Sequence, residues 1–137
     1  MPTPFDQVVA KIITKGFHNH RLEDHSDVVS GGIFHDLLEQ CPTLKKDAEI
    51  GDIKYWRNVK TPGARKRKID LLIGEPRPDG KPDLTKIRIA VENKSVVTAH
   101  RNRDARFDDL NEALQVIHKA KPETVIVATI LIGLATR

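Results

Sequence analysis

The sequence contains little cysteine and no long hydrophobic run. Its single cysteine, Cys41, excludes an internal disulfide and is typical of a reducing compartment. The first residues do not form a basic region followed by an apolar run, so the sequence does not predict a secretory signal. The longest apolar run, Val125 to Leu134, is interrupted by Thr129 and Gly133 and is too short to span a bilayer. We therefore expect a cytoplasmic protein.

The composition that remains is that of a globular domain. Hydrophobic residues make up 39% and charged residues 31% of the 137 positions, without a low-complexity tract. A chain of this length is expected to form one domain with its own core. We expect this domain to cover residues 1–137, with a helix and a polar connector over 1–25 and the core over 26–134. The net charge of +4 permits a polyanionic partner but does not require one.

Hydrophobic periodicity predicts two helices, three strands, a further helix and a final strand, in that order. The helices are expected over residues 4–15, from a cap at Ser26 and Asp27 to about Cys41, and from Asn102 or Asp104 to about Lys119. The strands are expected over Asp52–Val59, Lys68–Ile73, Ile87–Lys94 and Thr124–Leu134. The last strand is a continuous β-branched run, which is typical of burial on both faces. Because a helix precedes it, we expect it to be parallel to its partner.

The two middle strands carry charge at positions where a strand is usually apolar. Alternation divides Ile87–Lys94 into two faces, one with Ile87, Ile89, Val91 and Asn93, and the other with Arg88, Ala90, Glu92 and Lys94. Glu92 and Lys94 are therefore expected to point the same way. In the preceding strand, alternation separates Asp70 and Leu72 from Ile69, Leu71 and Ile73.

The segment between these strands, residues 74–83, is rich in proline and glycine and predicts a hairpin connection. In an antiparallel hairpin Asp70 would lie close to Glu92 and Lys94. The sequence therefore predicts two carboxylates and one ammonium group at one place.

This combination is suited to metal-assisted chemistry on a phosphodiester. Two neighbouring carboxylates repel each other unless one is protonated or a cation lies between them. Hard oxygen ligands favour Mg²⁺ or Mn²⁺, which can polarise a phosphoryl oxygen and acidify a water molecule. An adjacent ammonium can hold that water and stabilise developing charge. A simpler interpretation is a cross-strand salt bridge without catalytic function.

Basic residues and histidines are weaker indications of a nucleic-acid or metal site. Basic residues cluster before the first of these strands, at Lys60 and Arg65–Lys68, and after the second, at Arg101, Arg103 and Arg106. Such clusters are suited to a phosphate backbone, although each alone is equally well explained as a solvated surface. Four histidines, His18, His20, His25 and His35, could bind a metal, but their spacing favours surface positions.

The placement of Ile69-Asp70 on one strand and Glu92-Asn93-Lys94 on the next resembles the PD-(D/E)xK nuclease superfamily. The shared core of that superfamily is a helix, a three-stranded antiparallel meander, a helix and a parallel fourth strand. The resemblance covers about Ser26 to Leu134. It implies an α/β fold of the α+β type, with a restriction-endonuclease-like core of order αβββαβ and a mixed four-stranded sheet flanked by helices.

The resemblance also implies roles for individual residues. Asp70 and Glu92 would bind Mg²⁺ or Mn²⁺, the backbone carbonyl of Asn93 would be a further ligand, and Lys94 would be the catalytic lysine. Some members add an acidic residue from the preceding helix, for which the candidates are Asp36 and Glu39. Ile69 stands in place of the proline of the motif, which many members also lack. Ser95-Val96 stand where some exonucleases and junction resolvases have a glutamine, which favours restriction-endonuclease-like proteins.

We therefore expect a Mg²⁺-dependent DNA endonuclease of the type II restriction-endonuclease-like class. Since one site cuts one strand, cleavage of both strands favours a homodimer. The residues expected to contact DNA are Arg65, Lys66, Arg67, His100, Arg101 and Arg103. Two alternatives remain: a catalytically inactive nucleic-acid-binding module of the same fold, and an unrelated α/β scaffold in which the charges form a salt-bridge network. The chain is either a minimal nuclease domain or a fragment of a longer protein.

Overall fold

A computed structural model describes residues 3–15, 23–61, 68–96 and 99–132. Within these ranges the chain forms four helices and four strands: α1 Pro4–Lys15, α2 Glu23–Gln40, α3 Pro42–Glu49, β1 Lys54–Lys60, β2 Lys68–Pro76, β3 Pro82–Val96, α4 Ala99–Ala120 and β4 Val125–Ile132. The predicted order of elements is confirmed, with α3 as an unpredicted addition. None of the described helices has the length and apolar character needed to cross a membrane.

The four strands form one mixed sheet in the order β1-β2-β3-β4. The pairs β1–β2 and β2–β3 are antiparallel, and Leu71 of β2 lies opposite Val91 of β3. Strand β4 follows the crossover helix α4 and pairs with β3 in parallel, with Ile89 beside Val125. The predicted meander and the parallel fourth strand are therefore confirmed. The chain has an α+β architecture.

The boundaries of helices α2 and α4 differ from the predicted ones. Helix α2 starts at Glu23, so Asp27 lies inside the helix and does not cap it. It ends before Pro42, because proline cannot continue a helix, and the same proline begins α3. Helix α4 starts at Ala99, ahead of both predicted caps, Asn102 and Asp104.

The β2–β3 turn is shorter than predicted, because both strands extend into the proline-rich segment. Pro76 pairs with Pro82, and the connection is limited to residues 77–81. Within it the Arg77 N–H donates to Lys81 O at 2.8 Å, and the Gly80 N–H donates to Arg77 O at 2.9 Å. Gly80 has a φ of 80°, a left-handed conformation that glycine adopts without steric cost.

Helices cover the two faces of the sheet and divide the core into two clusters. Toward α2 and α3 lie the buried residues Leu44, Ile53, Leu71, Ile73 and Val91. Toward α4 lie Ile69, Leu72, Ile87, Ala90 and Ile117. Strands β2 and β3 are therefore buried on both faces over their central residues. This double burial fixes the register of the central hairpin, since a one-residue slip would exchange the two faces.

Two apolar residues lie on the opposite face from the predicted one. Ile87 packs with Ala90 rather than with Ile89 and Val91, because the register changes from Ile73↔Ile89 to Gly74↔Ile87. This bulge adds one residue to β3 and reverses the alternation.

Ile69 likewise packs with Leu72 rather than with Leu71. The change occurs next to Asp70, at the position where the β1–β2 register brings Asn58 opposite. Asn58 has a φ of 53°. A left-handed residue thus interrupts the extended backbone of β1 at the position opposite this change in β2.

The prediction that β4 is buried on both faces is wrong. Val125 is 57% and Val127 is 36% exposed. Strand β4 is at the edge of the sheet, and α2 packs on β1, β2 and β3. The β-branched sequence of β4 therefore reflects strand propensity and one covered face, not two.

Candidate functional site

The structure brings Asp70 to the peptide bond between Glu92 and Asn93. The antiparallel register pairs Leu71 with Val91, and one further step along it places Asp70 opposite Glu92. The Asn93 N–H donates to Asp70 Oδ2 at 2.6 Å. A carboxylate that accepts a backbone N–H is fixed in position by the strand beside it. The hairpin therefore assembles the predicted Asp70 and Glu92 at one place on adjacent strands.

Glu92 is removed from solvent, with 4% of its surface exposed, and is the buried acidic residue of the described ranges. A buried carboxylate must be neutralised by a proton or by a cation. Its Oε1 atom has no hydrogen-bond partner in the described part of the chain, although Glu92 takes part in other interactions. Asp70 beside it is half-buried. Negative charge is thus concentrated here at reduced solvent exposure.

The side chain of Asn93 connects three elements. Its Nδ2 atom donates to Ser30 Oγ on α2 at 2.9 Å, and its Oδ1 atom accepts the Thr129 hydroxyl on β4 at 2.6 Å. Ser30 is fully buried. These two bonds define the amide orientation, since the amide group donates and the carbonyl accepts. They hold the Asn93 segment against both α2 and β4.

A second polar contact reaches the site from α2. Asn58 Nδ2 donates to Asp27 Oδ1 at 3.2 Å, and Asn58 lies opposite Asp70 across the β1–β2 pair. Asp27 precedes Ser30 by three positions, so both residues lie on the same face of α2. The left-handed conformation of Asn58 is of the kind that concentrates at functional sites. Asp27 and Asn58 are therefore part of this region.

Sequence reasoning missed Asp27 because it was assigned as a helix cap. The spacing of Asp27 and Ser30 was the available signal, since polar residues at i and i+3 on an otherwise packed helix share one face. The left-handed Asn58 could be found only from the structure, although asparagine is one of the residue types that tolerates this conformation.

The two acidic residues predicted from α2, Asp36 and Glu39, are not brought to the site. Both are exposed, and they group with His35, whose Nδ1 lies 3.6 Å from Glu39 Oε1. Ser30 is the α2 residue that contacts Asn93. Asp36 is six positions further along, about 9 Å along the helix axis. Among the described side chains of α2, the carboxylate that contacts a residue opposite Asp70 is that of Asp27, through Asn58.

The backbone of Lys94 continues β3 two positions after Glu92 and pairs with Ile130. Its side chain lies outside the described part of the structure. The same is true of the side chains of His100, Arg101 and Arg103, which are residues of the N-terminal part of α4. Residues 65–67, predicted to contact nucleic acid, lie outside the described ranges altogether.

Comparisons with protein-family models, curated proteins and solved structures find no match to this chain. The assignment of function therefore depends on the residues and on the fold that arranges them.

Proposed function

We propose that the protein is a metal-dependent DNA endonuclease with a restriction-endonuclease-like core. The observation that carries this proposal is the 2.6 Å contact of Asp70 Oδ2 with the Asn93 N–H, beside the buried Glu92. A helix precedes the antiparallel meander, and a second helix and a parallel strand follow it. The element order and the acidic pair agree with the resemblance noted from the sequence.

The residues present are suited to Mg²⁺ or Mn²⁺. Asp70 and Glu92 supply carboxylate oxygens, the donors that these hard cations prefer. The Asn93 carbonyl would supply a third oxygen ligand. The N–H and C=O groups of a strand residue point to the same neighbouring strand, and the Asn93 N–H points at Asp70. A divalent cation would also offset the burial of the Glu92 carboxylate. When bound, the cation polarises a phosphoryl oxygen and lowers the pKa of a water molecule.

The chain's own residues would then position and stabilise the reacting groups. Asp70 is fixed by the Asn93 N–H, and Asn93 in turn is fixed by Ser30 and Thr129. Lys94, two positions after Glu92, would hold the attacking water and stabilise the developing negative charge. Preorganisation of this kind accounts for a large part of enzymatic rate enhancement.

We propose Asp27, in place of Asp36 and Glu39, as the α2 carboxylate that supports the site. It accepts a hydrogen bond from Asn58, which lies opposite Asp70. Its role is to hold the left-handed Asn58 and thereby the shape of the β1–β2 pair beside Asp70. The group of His35, Asp36 and Glu39 is exposed and lies five to nine positions after Ser30 along α2.

DNA would approach from the end of β3 that carries Glu92. Helix α4 begins three positions after β3 ends, so its N-terminus, whose dipole favours anions, lies at that end of the strand. The predicted DNA-contacting residues His100, Arg101 and Arg103 belong to this part of α4, and Arg65, Lys66 and Arg67 precede β2. One site cleaves one strand, so we propose a homodimer for double-strand cleavage.

The test is cleavage of supercoiled plasmid DNA by the purified protein. We expect nicked or linear product with Mg²⁺ or Mn²⁺ and none with EDTA, because the carboxylate pair acts through the cation. Unchanged plasmid under both conditions, from protein with a cooperative unfolding transition, would contradict the proposed activity.

A further inference from the structure

A cleft of about 750 Å³ lies between α2, α3 and β1. Its volume is within the range of about 300–1,000 Å³ that is usual for ligand pockets. The lining side chains that bear on its chemistry are Asp27, Phe34, Lys54, Tyr55, Arg57 and Asn58. The cleft therefore combines aromatic, cationic and amide groups along one side of an edge strand.

An aromatic side chain forms one wall of the cleft. Tyr55 is 43% exposed, and its ring centroid lies 4.3 Å from that of Phe34, with 38° between the ring planes. Phe34 is half-buried and packs on the core cluster beneath α2 and α3. The contact with Phe34 holds the Tyr55 ring in place while leaving part of it accessible. A fixed, exposed ring is suited to stacking with a nucleobase.

Two of the lining residues are cations. Lys54 and Arg57 are exposed, and neither forms an ion pair with a described residue. By contrast, Arg88 on β3 is 2.7 Å from Asp47 Oδ2. Asp27 is the carboxylate among the lining residues, and it accepts a hydrogen bond from Asn58. The charge balance of the cleft therefore favours an anionic ligand.

The cleft adjoins the proposed site. Asn58 lines it and lies opposite Asp70 in the β1–β2 pair. Tyr55 is three residues before Asn58 on β1, about 10 Å along the strand. A nucleotide next to the scissile phosphodiester could therefore reach the Tyr55 ring.

We propose that this cleft binds an unpaired nucleotide of the DNA substrate, with its base on Tyr55 and its phosphate on Lys54 and Arg57. This rests on the proposed function, since the strand is placed by the scissile bond at Asp70 and Glu92. A base within a duplex has both faces covered by its neighbours and cannot stack on Tyr55. The substrate class is therefore DNA with an unpaired nucleotide beside the scissile bond, as in an overhang, a flap or a locally unwound segment of negatively supercoiled plasmid DNA.

The test is binding of a fluorescein-labelled single-stranded oligonucleotide and of a hairpin duplex, followed by fluorescence anisotropy in EDTA at fixed salt. EDTA separates binding from cleavage. We expect the single strand to bind more tightly than the duplex. Tyr55→Ala should weaken single-strand binding about tenfold, within the range for loss of one stacked base, and leave duplex binding unchanged. Tyr55→Phe keeps the ring and should bind as the parent does.

Arg57→Ala should weaken single-strand binding and reduce its salt dependence, because one phosphate contact is lost. Arg77→Ala, which removes an equal charge from the β2–β3 turn, is the matched control and should have no effect. Folding of each variant is checked by its thermal unfolding transition.

A folded Tyr55→Ala protein that binds the single strand as tightly as the parent would overturn the cleft proposal, as would equal affinity for single strand and duplex. These outcomes are separable from those of the plasmid assay. Tyr55-dependent binding by a protein that does not cleave would contradict the nuclease and leave the cleft in place. Metal-dependent cleavage without Tyr55-dependent binding would support the nuclease and contradict the cleft proposal.

Discussion

The two ends of the β2–β3 hairpin use charged residues in opposite ways. At the turn end, near residues 75–88, ion pairs form between half-exposed side chains: Arg77 lies 2.8 Å from Asp79, and Lys86 lies 3.5 Å from Glu75. At the other end, which we call the open end, Asp70 accepts a backbone N–H and Glu92 is buried. These two pairs form within the hairpin, and a further pair joins Arg88 to Asp47 of α3 at 2.7 Å. The open end receives side chains from three elements, α2, β1 and β4.

The charged side chains of the turn end are half-exposed and contribute to solubility. Those of the open end are held in one position by hydrogen bonds and burial. Half-exposed ion pairs contribute about 0–1 kcal/mol and are screened by salt. Burying a carboxylate is unfavourable, and fixing it with residues from distant elements restricts it to one geometry. The metal that we propose would offset part of the cost of this burial. The following predictions test the contrast between the two ends.

The largest effect is expected on activity at the open end. Asp70→Asn removes one proposed metal ligand, and Lys94→Ala removes the proposed catalytic ammonium. Each should reduce metal-dependent plasmid cleavage by at least about 10²-fold, as loss of a preorganised charged group does. Asp79→Asn at the turn end is the matched control and should cleave at the parent rate.

Circular dichroism and thermal unfolding establish that each variant is folded. Cleavage by Lys94→Ala at the parent rate would show that Lys94 has no role in the mechanism. The same result for Asp70→Asn would show that the open end is not the catalytic site. Loss of activity in Asp79→Asn would show that the two ends are not functionally distinct.

The next effect is on stability. Asn93→Ala removes the partner of the buried Ser30 hydroxyl and of the Thr129 hydroxyl. Leaving buried polar groups without partners costs about 1–3 kcal/mol each, so we expect a loss of about 3 kcal/mol in the free energy of unfolding. Urea denaturation measures it. Arg77→Ala at the turn end should change this free energy by less than about 0.5 kcal/mol, and equal losses in both variants would contradict the contrast.

A smaller effect is expected at the bulge between the two ends. A Cβ on Gly74 would lie 2.6 Å from Lys86 O and 2.7 Å from Ile87 Cα, both backbone atoms that cannot rotate away. Gly74→Ala should therefore lower the free energy of unfolding by about 1–3 kcal/mol. In helix α2 a Cβ on Gly31 meets no atom within 4 Å. Gly31→Ala is the control and should be neutral or stabilising by up to about 1 kcal/mol. A stable Gly74→Ala protein would show that the bulge can shift.

The smallest effect concerns pH at the turn end. The Lys81 N–H and the Arg77 guanidinium lower the pKa of Asp79, and the Thr85 hydroxyl and N–H lower the pKa of Asp83. A lowered pKa in the folded state means that the stabilisation is present above the ordinary aspartate pKa and is lost as pH falls through the lower value. The amide signals of Lys81 and Thr85 in NMR spectra should titrate with midpoints below about 3.9. Midpoints above that value would contradict these contacts.

Local sequence rules were sufficient for the order of elements and for the acidic pair. Alternation and the proline-rich turn predicted the β2–β3 hairpin, and with it that Asp70 lies close to Glu92. The helix between β3 and β4 predicted the parallel pairing. These features are determined by residues that are close to one another in the sequence.

The features that were missed depend on tertiary contacts. The bulge that turns Ile87 to the α4 face lies where Gly74 closely approaches β3, and no local sequence pattern predicts this approach. The contact of Asp27 with Asn58 joins α2 to β1 across 31 positions. Exposure of Val125 follows from its place at the sheet edge. Such facts arise from packing between elements, and sequence periodicity does not contain them.

The most direct test of the account is where a divalent cation binds. Mn²⁺ broadens NMR signals of nearby nuclei. Two acidic groups among the described residues are to be distinguished: Asp70 with Glu92, and the exposed group of His35, Asp36 and Glu39. We predict that the Asn93 and Leu71 amide signals broaden at the lowest Mn²⁺ concentration, and that Asp70→Asn abolishes this. Broadening confined to the segment from His35 to Glu39, with the Asn93 signal unaffected, would contradict the metal-dependent site at the open end.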